Sequence, residues 1–540
     1  MRNISSQSGF LYTILFLSGF AGLGYEMVWT HMFSVGLGHE IVAVLAVIAA
    51  FFTGMALGAW TLDRVVSRSF RPGRWYSMLE LGIGLWSLVL IFLIPPVNRW
   101  AASFTGLDPS VFRHWAVAFL LPFFLLLPAT FALGATLPAM ERLFSRLRRN
   151  HWSVGGLYAA NTFGAVAGTL LTTFFIAPTI GFNATAVLLA MANFFCAVGV
   201  LLGPGRYESK RPPLSAVDSN LPDSRRIMGT LFLTGFLGIG YEVLVVRVAS
   251  QVLENTVYSF ASLLSIYLIG TAVGAAIYQA IAPRRNFEVV LACLLQGLAF
   301  FCLIGVAVLS FSEPIFLSLR DLIGGGINGA IVGELGLAAA VFFSPTLVMG
   351  VMFSHLAQAA RRPSGGVGKA LAINTLGASS APFIFGVFLM PAIGTKLCLV
   401  CVSLGYLFLI PTRRWKQWLP AAVPAGLAAV LVLNPGSLNF ISLKPGSRVA
   451  EHIEGVMAAV SVIEDGRNDY YLKVNNKFLM GGTASSFSDW RQGHIPLLLH
   501  PHPETALFLG LGTGATFAAS ADHPHLLAHG VELVPEVVRV

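Results

Sequence analysis

The sequence predicts an all-α membrane region of about twelve helices in two parallel six-helix repeats, followed by the start of an α/β soluble domain. Three observations carry this reading. The chain has 540 residues, of which 56% are hydrophobic and only 11% charged, whereas soluble domains carry about 25% charged residues. The stretch from Phe16 to Glu26 returns at Phe232 to Glu242, an offset of 242 − 26 = 216 residues. From about Leu443 the apolar runs give way to short alternating segments and turn residues.

The net charge of +9 (34 basic against 25 acidic residues) is no nucleic-acid signal, because the arginines sit in short loops between apolar runs. The five cysteines lie in apolar segments, and no metal site is expected of them.

Apolar runs at 9–34, 41–62, 75–95, 114–140, 154–180 and 182–203 are each long enough to span a bilayer as a helix. A polar linker, 204–226, reads as cytoplasmic, and six more spans follow at 227–252, 256–282, 287–309, 329–358, 367–392 and 394–411. Membrane repeat 1 is thus 1–203 and repeat 2 is 227–412. Gly54 and Gly58 match Gly270 and Gly274, and Gly134 matches Gly350, all 216 apart. Such glycines let helix backbones approach closely. Asn161 matches Asn374, and Pro178 with Gly181 match Pro391 with Gly394, at 374 − 161 = 213. The lost residues fall between helices four and five, where a loop absorbs them.

Arginines follow the even-numbered helices: Arg64, Arg68, Arg71 and Arg74, then Arg142, Arg146, Arg148 and Arg149, then Arg284, Arg285, Arg361, Arg362, Arg413 and Arg414. This places the N-terminus in the cytoplasm. Residues 413–442 hold either a thirteenth span or an interfacial helix. The apolar part, Trp418–Leu433, is short and carries Pro420 and Pro424. We read it as non-spanning, which leaves the soluble domain, 443–540, in the cytoplasm.

In that domain Met457–Glu464 and Tyr470–Val474 read as strands around the turn signal Asp465-Gly466. A helix is expected from Ser486 to His500. Thr505–Leu509 reads as a strand entering Gly510-Leu511-Gly512-Thr513-Gly514, a helix follows to about Ala521, and Leu527–Leu533 is the next strand. Glu532 closes it, 532 − 510 = 22 residues after the first glycine, where a carboxylate accepts ribose hydroxyls. Gly510, Gly512, Gly514 and Glu532 are therefore the candidate nucleoside-binding residues.

Several stretches, Glu454–Val462, Leu472–Phe478, His494–Pro501 and the glycine loop, resemble spermidine synthases. Over nearly its whole length the chain is similar to bacterial membrane proteins that fuse a major-facilitator-like region to a spermidine-synthase-like domain. The resemblance implies a Rossmann-like methyltransferase-type fold with an N-terminal β-hairpin. It also implies decarboxylated S-adenosylmethionine as aminopropyl donor and an amine such as putrescine as acceptor. Leu479 stands where such synthases carry Gln, and Ser488-Asp489-Trp490 where they carry Tyr-His-Glu. The catalytic Asp that the resemblance implies lies beyond Val540, so the 540 residues are expected to lack transferase activity.

Within the membrane, Glu26 and Glu242 are the sharpest candidates, with Asn161 and Asn374. Ionisable groups at bilayer depth turn inward and mark solute or proton pathways. The plainer reading makes each glutamate a structural group hydrogen-bonded to Tyr25, Asn161 or Asn374, with Arg247 partly neutralising Glu242. His31, His355 and Glu334 read as packing residues.

The sequence thus points to a multi-pass protein of a bacterial inner membrane that acts as a polyamine aminopropyltransferase-like enzyme. Its expected partners are the lipid bilayer and a small polyamine or other amine, not nucleic acid. Two rivals stand beside this: a transporter of cations or small solutes with a nucleoside-sensing domain, and a membrane methyltransferase using S-adenosylmethionine.

Overall fold

A computed structural model describes residues 2–38, 40–106, 109–147, 154–203, 224–253, 256–281, 286–360, 367–410, 419–434, 438 and 440–540. Most of the linker and several arginine-bearing loops, among them Arg284, Arg285, Arg361, Arg362, Arg413 and Arg414, lie outside these residues.

The first half contains α1 (Arg2–Leu37), α2 (Glu40–Arg68), α3 (Pro72–Thr105), α4 (Val111–Leu147), α5 (Val154–Leu171) and α6 (Ala177–Leu202). The second contains α7 (Ser224–Ala249), α8 (Val257–Ile281), α9 (Phe287–Leu309), α10 (Ser312–Leu322), α11 (Gly326–Ala360), α12 (Gly368–Ala381), α13 (Met390–Ile393), α14 (Thr395–Gly405) and α15 (Ala422–Leu433). Among the described residues ten helices are long and apolar enough to cross a membrane.

One of them, Gly155–Leu202, is two antiparallel passes. Gly156 abuts Tyr12, and Gly168 the Phe20 carbonyl, so α5 runs alongside α1. Beyond Gly181 (φ 79°, ψ 163°) the chain turns back. Phe182 stacks near His31, and Cys196 Sγ reaches the Ile14 carbonyl at 3.5 Å. Counting that helix as two passes, and adding the shorter apolar helix Thr395–Leu409, gives twelve. A π-helical turn precedes each of the two glycine reversals, at Thr172–Ile176 and Pro382–Leu389.

Backbone contact at glycine organises both halves. A Cβ on Gly58 would strike the Phe131 carbonyl, and one on Gly274 the Leu347 carbonyl. Gly54 faces Thr130 and Gly270 faces Thr346, while Gly19 faces the Asn161 carbonyl and Gly235 that of Asn374. Each contact recurs at the sequence offset, so the same residue types put the same helices together twice.

Among the helices of the bundle, one escaped the sequence reading. Helix α10, Ser312–Leu322, is amphipathic and buries only Ser312 and Phe316; it has too few apolar residues to register as a span.

Segment Leu419–Leu433 packs beside α14 and α9. Lys396 Nζ, at the start of α14, donates to the Asn434 carbonyl at 2.8 Å, just past the end of α15. The two helices are therefore antiparallel. The C-terminal domain rests on the bundle end where α1, α7 and α9 finish and α2, α4 and α8 begin. Met457 packs with Val42 and Ala118 there, and Ser442 Oγ donates to Glu313 at 3.0 Å. That end is opposite the one bearing Arg71, Arg74 and Arg142. A run of apolar residues without charge finds its favourable surface along α9 and α14, and the prolines fall near its first turn, where they are tolerated.

The C-terminal domain opens with an antiparallel sheet in the order β1 (Arg448–Glu454), β2 (Ala459–Glu464), β3 (Tyr470–Val474), β4 (Phe478–Gly482). The Asp465 turn joins β2 to β3 as the Asp-Gly signal requires, and Asn468 takes the positive φ of 64°. After α16 (Ser486–Leu499), β5 (Thr505–Leu509) pairs in parallel with β6 (Leu527–Val531), and the short helix α17 (Ala515–Ala518) lies between them. The chain ends in α18 (Pro535–Arg539).

Candidate functional site

Where the halves face each other lies a cavity of about 240 Å³. Its lining comes in equivalent pairs, including Ser18 with Thr234, Gly22 with Gly238, Gly134 with Gly350 and Asn161 with Asn374. Tyr158, Tyr267 and Tyr406 also line it. The Tyr406 side chain is fully buried, and its hydroxyl has no hydrogen-bond partner. A buried hydroxyl left unpaired is costly. Asn374 donates to the Leu231 carbonyl at 2.9 Å, which holds its amide at the wall.

Glu26 and Glu242 lie one helical turn beyond Gly22 and Gly238, on the same faces of α1 and α7. Both are buried. Glu242 also lines a second, smaller cavity of about 50 Å³ together with Leu45, Ile48, Arg247 and Val456. None of the structural partners expected for these glutamates is present. Tyr25 donates to Asn193 at 2.9 Å instead. Arg247 does not pair with Glu242: it donates to the Gly455 carbonyl at 3.1 Å and to Asn475 Oδ1 at 3.3 Å, tying α7 to the C-terminal domain. Five residues, more than one turn, separate Arg247 from Glu242, which carries the guanidinium out to the domain surface.

Two other buried carboxylates of the bundle, Glu80 and Glu334, are hydrogen-bonded. Glu80, which the sequence reading did not single out, accepts from Ser18 Oγ and Asn193 Nδ2, both at 2.6 Å. Its signal was available: a lone acid inside the apolar run 75–95 must find partners. Glu334 accepts from Ser259 at 2.8 Å and Ser262 at 3.0 Å, and His355 meets Tyr278 at 3.3 Å. These last two have partners on neighbouring helices that sequence spacing does not reveal.

In the C-terminal domain Gly510, Gly512 and Gly514 have φ of 82°, 54° and 78°, a conformation other residues resist. A Cβ on Gly510 or Gly514 would meet nothing within 4 Å. Backbone conformation, not crowding, thus requires Gly510 and Gly514. Glu532 Oε2 accepts the Leu511 and Gly512 amides at 2.8 and 3.3 Å, and Oε1 accepts Val534 N at 3.0 Å. A carboxylate has roughly four acceptor positions, so one remains for a ribose hydroxyl. These residues fit a nucleoside. Leu479 is exposed, and Asp489 accepts from Ser485 Oγ at 2.9 Å in the first turn of α16.

No family model matches the chain. A protein named polyamine aminopropyltransferase 2, from Streptomyces coelicolor, is 26% identical over 199 residues, which is 36% of this chain and 34% of that protein. The chain thus matches about a third of the length of this curated relative. Among solved structures it is similar to the Escherichia coli fucose:proton symporter (TM-score 0.45, 14% identity, covering 77% of this chain and 98% of that one). It is also similar to the human organic anion transporter MFSD10 (TM-score 0.44, 16% identity, 74% and 99%). The match to the curated relative is consistent with the fusion read from the sequence.

Proposed function

We propose that the protein handles a small amine at the membrane, with the paired cavity between its halves as the binding chamber. The observation that carries this is the cavity lining: equivalent residues from both halves converge on one chamber that holds an unsatisfied Tyr406 hydroxyl. The recurring glycine contacts support a six-plus-six parallel repeat, the architecture in which such a chamber opens alternately to either side. The amine class follows from the name of the curated relative. In proteoliposomes, labelled putrescine or spermidine should accumulate above protein-free vesicles. Asn374→Leu should cut that uptake at least tenfold. Uptake of sugars with none of amines would overturn the reading.

The C-terminal domain supports a second activity at the same membrane. Gly510, Gly512, Gly514 and Glu532 would hold the nucleoside of S-adenosylmethionine or its decarboxylated form in a Rossmann-like unit. When bound, that group supplies an electrophilic carbon beside a sulfonium. The protein's own residues orient it: the glycine loop by backbone approach, Glu532 through its free acceptor position. Gly510→Val should abolish binding of radiolabelled donor while leaving amine uptake intact. Loss of both together would argue for a structural role of the loop.

The antiparallel course of α14 and α15 favours a thirteenth crossing. With the arginine loops and N-terminus cytoplasmic, the C-terminal domain then lies on the outer face of a bacterial cell membrane. A cysteine at Arg467 should react with a membrane-impermeant maleimide in intact cells. Labelling only after lysis would return the domain to the cytoplasm.

A further inference from the structure

The C-terminal domain touches both halves of the bundle and holds them in different ways. To the second half it is tied by directional bonds. Arg247 of α7 donates to the Gly455 carbonyl and to Asn475, Glu454 accepts from the Thr395 hydroxyl at the start of α14, and Ser442 donates to Glu313 of α10. Lys477 lies over the Phe316 ring at 5.6 Å. Among the described residues the contacts with the first half are apolar. Met457 packs with Val42 and Ala118, beside Leu37 and Trp115, and a Cβ on Gly38 would meet Leu533 at 3.2 Å. Val456 sits between the two sets. It lines the small cavity whose walls are Val44, Leu45 and Ile48 of α2 on one side and Val246 and Ser250 of the second half on the other. The loop is braced from behind, since a Cβ on Gly455 would collide with the Glu536 carboxylate of α18.

We infer that the C-terminal domain is a latch. It rides on the second half, and its loop 455–458 together with Leu533 holds the first half, closing the cleft between the halves at this end. The inference rests on the chamber reading for the motion that the latch restrains. Hydrogen bonds demand a fixed distance and angle, so the domain moves as one body with α7, α10 and α14. Apolar contact has no direction. Met457 and Leu533 can leave α1, α2 and α4 and return without stranding a donor or acceptor. The seam that parts most easily therefore runs between the domain and the first half, in line with the cleft under Val456. Opening the chamber at this end moves α2 away from α7, which draws Val42 off Met457.

Distances between spin labels on the full chain in nanodiscs, with the five native cysteines replaced by alanine, test this. Val35→Cys on α1 and Phe311→Cys just before α10, at positions 83% and 63% exposed, report the gap between the halves at this end. Arg467→Cys paired with Phe311→Cys reports the domain against the second half. With Met457 and Leu533 in place the first pair should give one narrow distance. Met457→Ser with Leu533→Ser should add a population longer by about 5 Å or more, the scale of a one-turn shift between packed elements. The second pair should keep its narrow distance in the same variant. A first pair unchanged by the substitutions overturns the latch, and so does a second pair that spreads along with the first. Neither distance depends on what the chamber carries. A chain that opens on release yet takes up no amine would therefore refute the amine reading and keep the latch.

Discussion

The two halves of the bundle share their backbone contacts but not their buried polar ones, and the difference separates a common scaffold from networks particular to each half. In the first half Glu80 closes a network with Ser18 and Asn193 across α1, α3 and α6. At the matching positions of the second half stand Gln296 (80 + 216), Thr234 (18 + 216) and Tyr406 (193 + 213). The second half instead seats Glu334 on two serines of α8, where the first half has Ala118 (334 − 216). Each half thus has its own structural carboxylate. What both retain in common is the pair without structural partners, Glu26 and Glu242. The two halves are thus stapled differently while keeping the same buried acid at equivalent positions.

The largest effect expected concerns what the halves do share. Gly58→Val and Gly274→Val each drive a side chain into a facing backbone carbonyl, which costs about 3 kcal/mol or more where neither helix can yield. Both should lower the melting temperature of the detergent-solubilised protein by similar amounts. A loss confined to one half would mean that the equivalent contacts do not carry equivalent weight.

Next come the networks that differ. Ser18→Ala deprives buried Glu80 of a 2.6 Å hydrogen bond, at a cost of about 1–3 kcal/mol. Its counterpart Thr234 donates only to the nearby Leu231 carbonyl, so Thr234→Ala should change stability by no more than about 0.5 kcal/mol. Equal losses at the two sites would erase the asymmetry.

Sequence patterns made the shared scaffold legible and hid the networks, for a physical reason. Glycine positions, apolar runs and helix-breaking Pro-Gly pairs act locally, so Gly181 and Gly394 could be read as turning points from spacing alone. The strands Tyr470–Val474 and Thr505–Leu509 followed from alternation and turn residues in the same way, and both occur at those bounds. Hydrogen bonds such as Asn193 to Glu80 join residues 113 apart in sequence, and no periodicity encodes them. The course of Leu419–Leu433 was likewise set by its neighbours α9 and α14, not by its own length.

For the unpaired acids the comparison demands almost no structural effect. Glu26→Gln and Glu242→Gln remove a buried charge and no bond, so stability should stay within about 1 kcal/mol of wild type or rise. Thermal melts in the absence of amine check this. A drop of about 3 kcal/mol, the usual cost of breaking a buried pair, would reveal a structural partner and end the distinction from Glu80.

Asp465 supplies the opposite case, a carboxylate with partners but without burial. It accepts the Arg467 and Asp469 amides at 2.7 and 3.0 Å in the β2–β3 turn. Those two bonds, that of Arg467 foremost, hold its acidity below the ordinary aspartate value of 3.8. Because the folded value is the lower one, the turn is stabilised above the unfolded-state value, and this is lost as pH falls through the folded one. The protection of the Arg467 and Asp469 amides, their exchange referred to the intrinsic rate at each pH, should therefore hold at neutral pH and fall only below the aspartate's usual titration range. Asp465→Asn, which keeps an acceptor but no charge, should retain most of the protection and flatten the pH dependence. If acidification frees these amides at the usual aspartate midpoint, the two hydrogen bonds do not favour the ionised form. Partnering would then stabilise an acid only where burial accompanies it, as at Glu80.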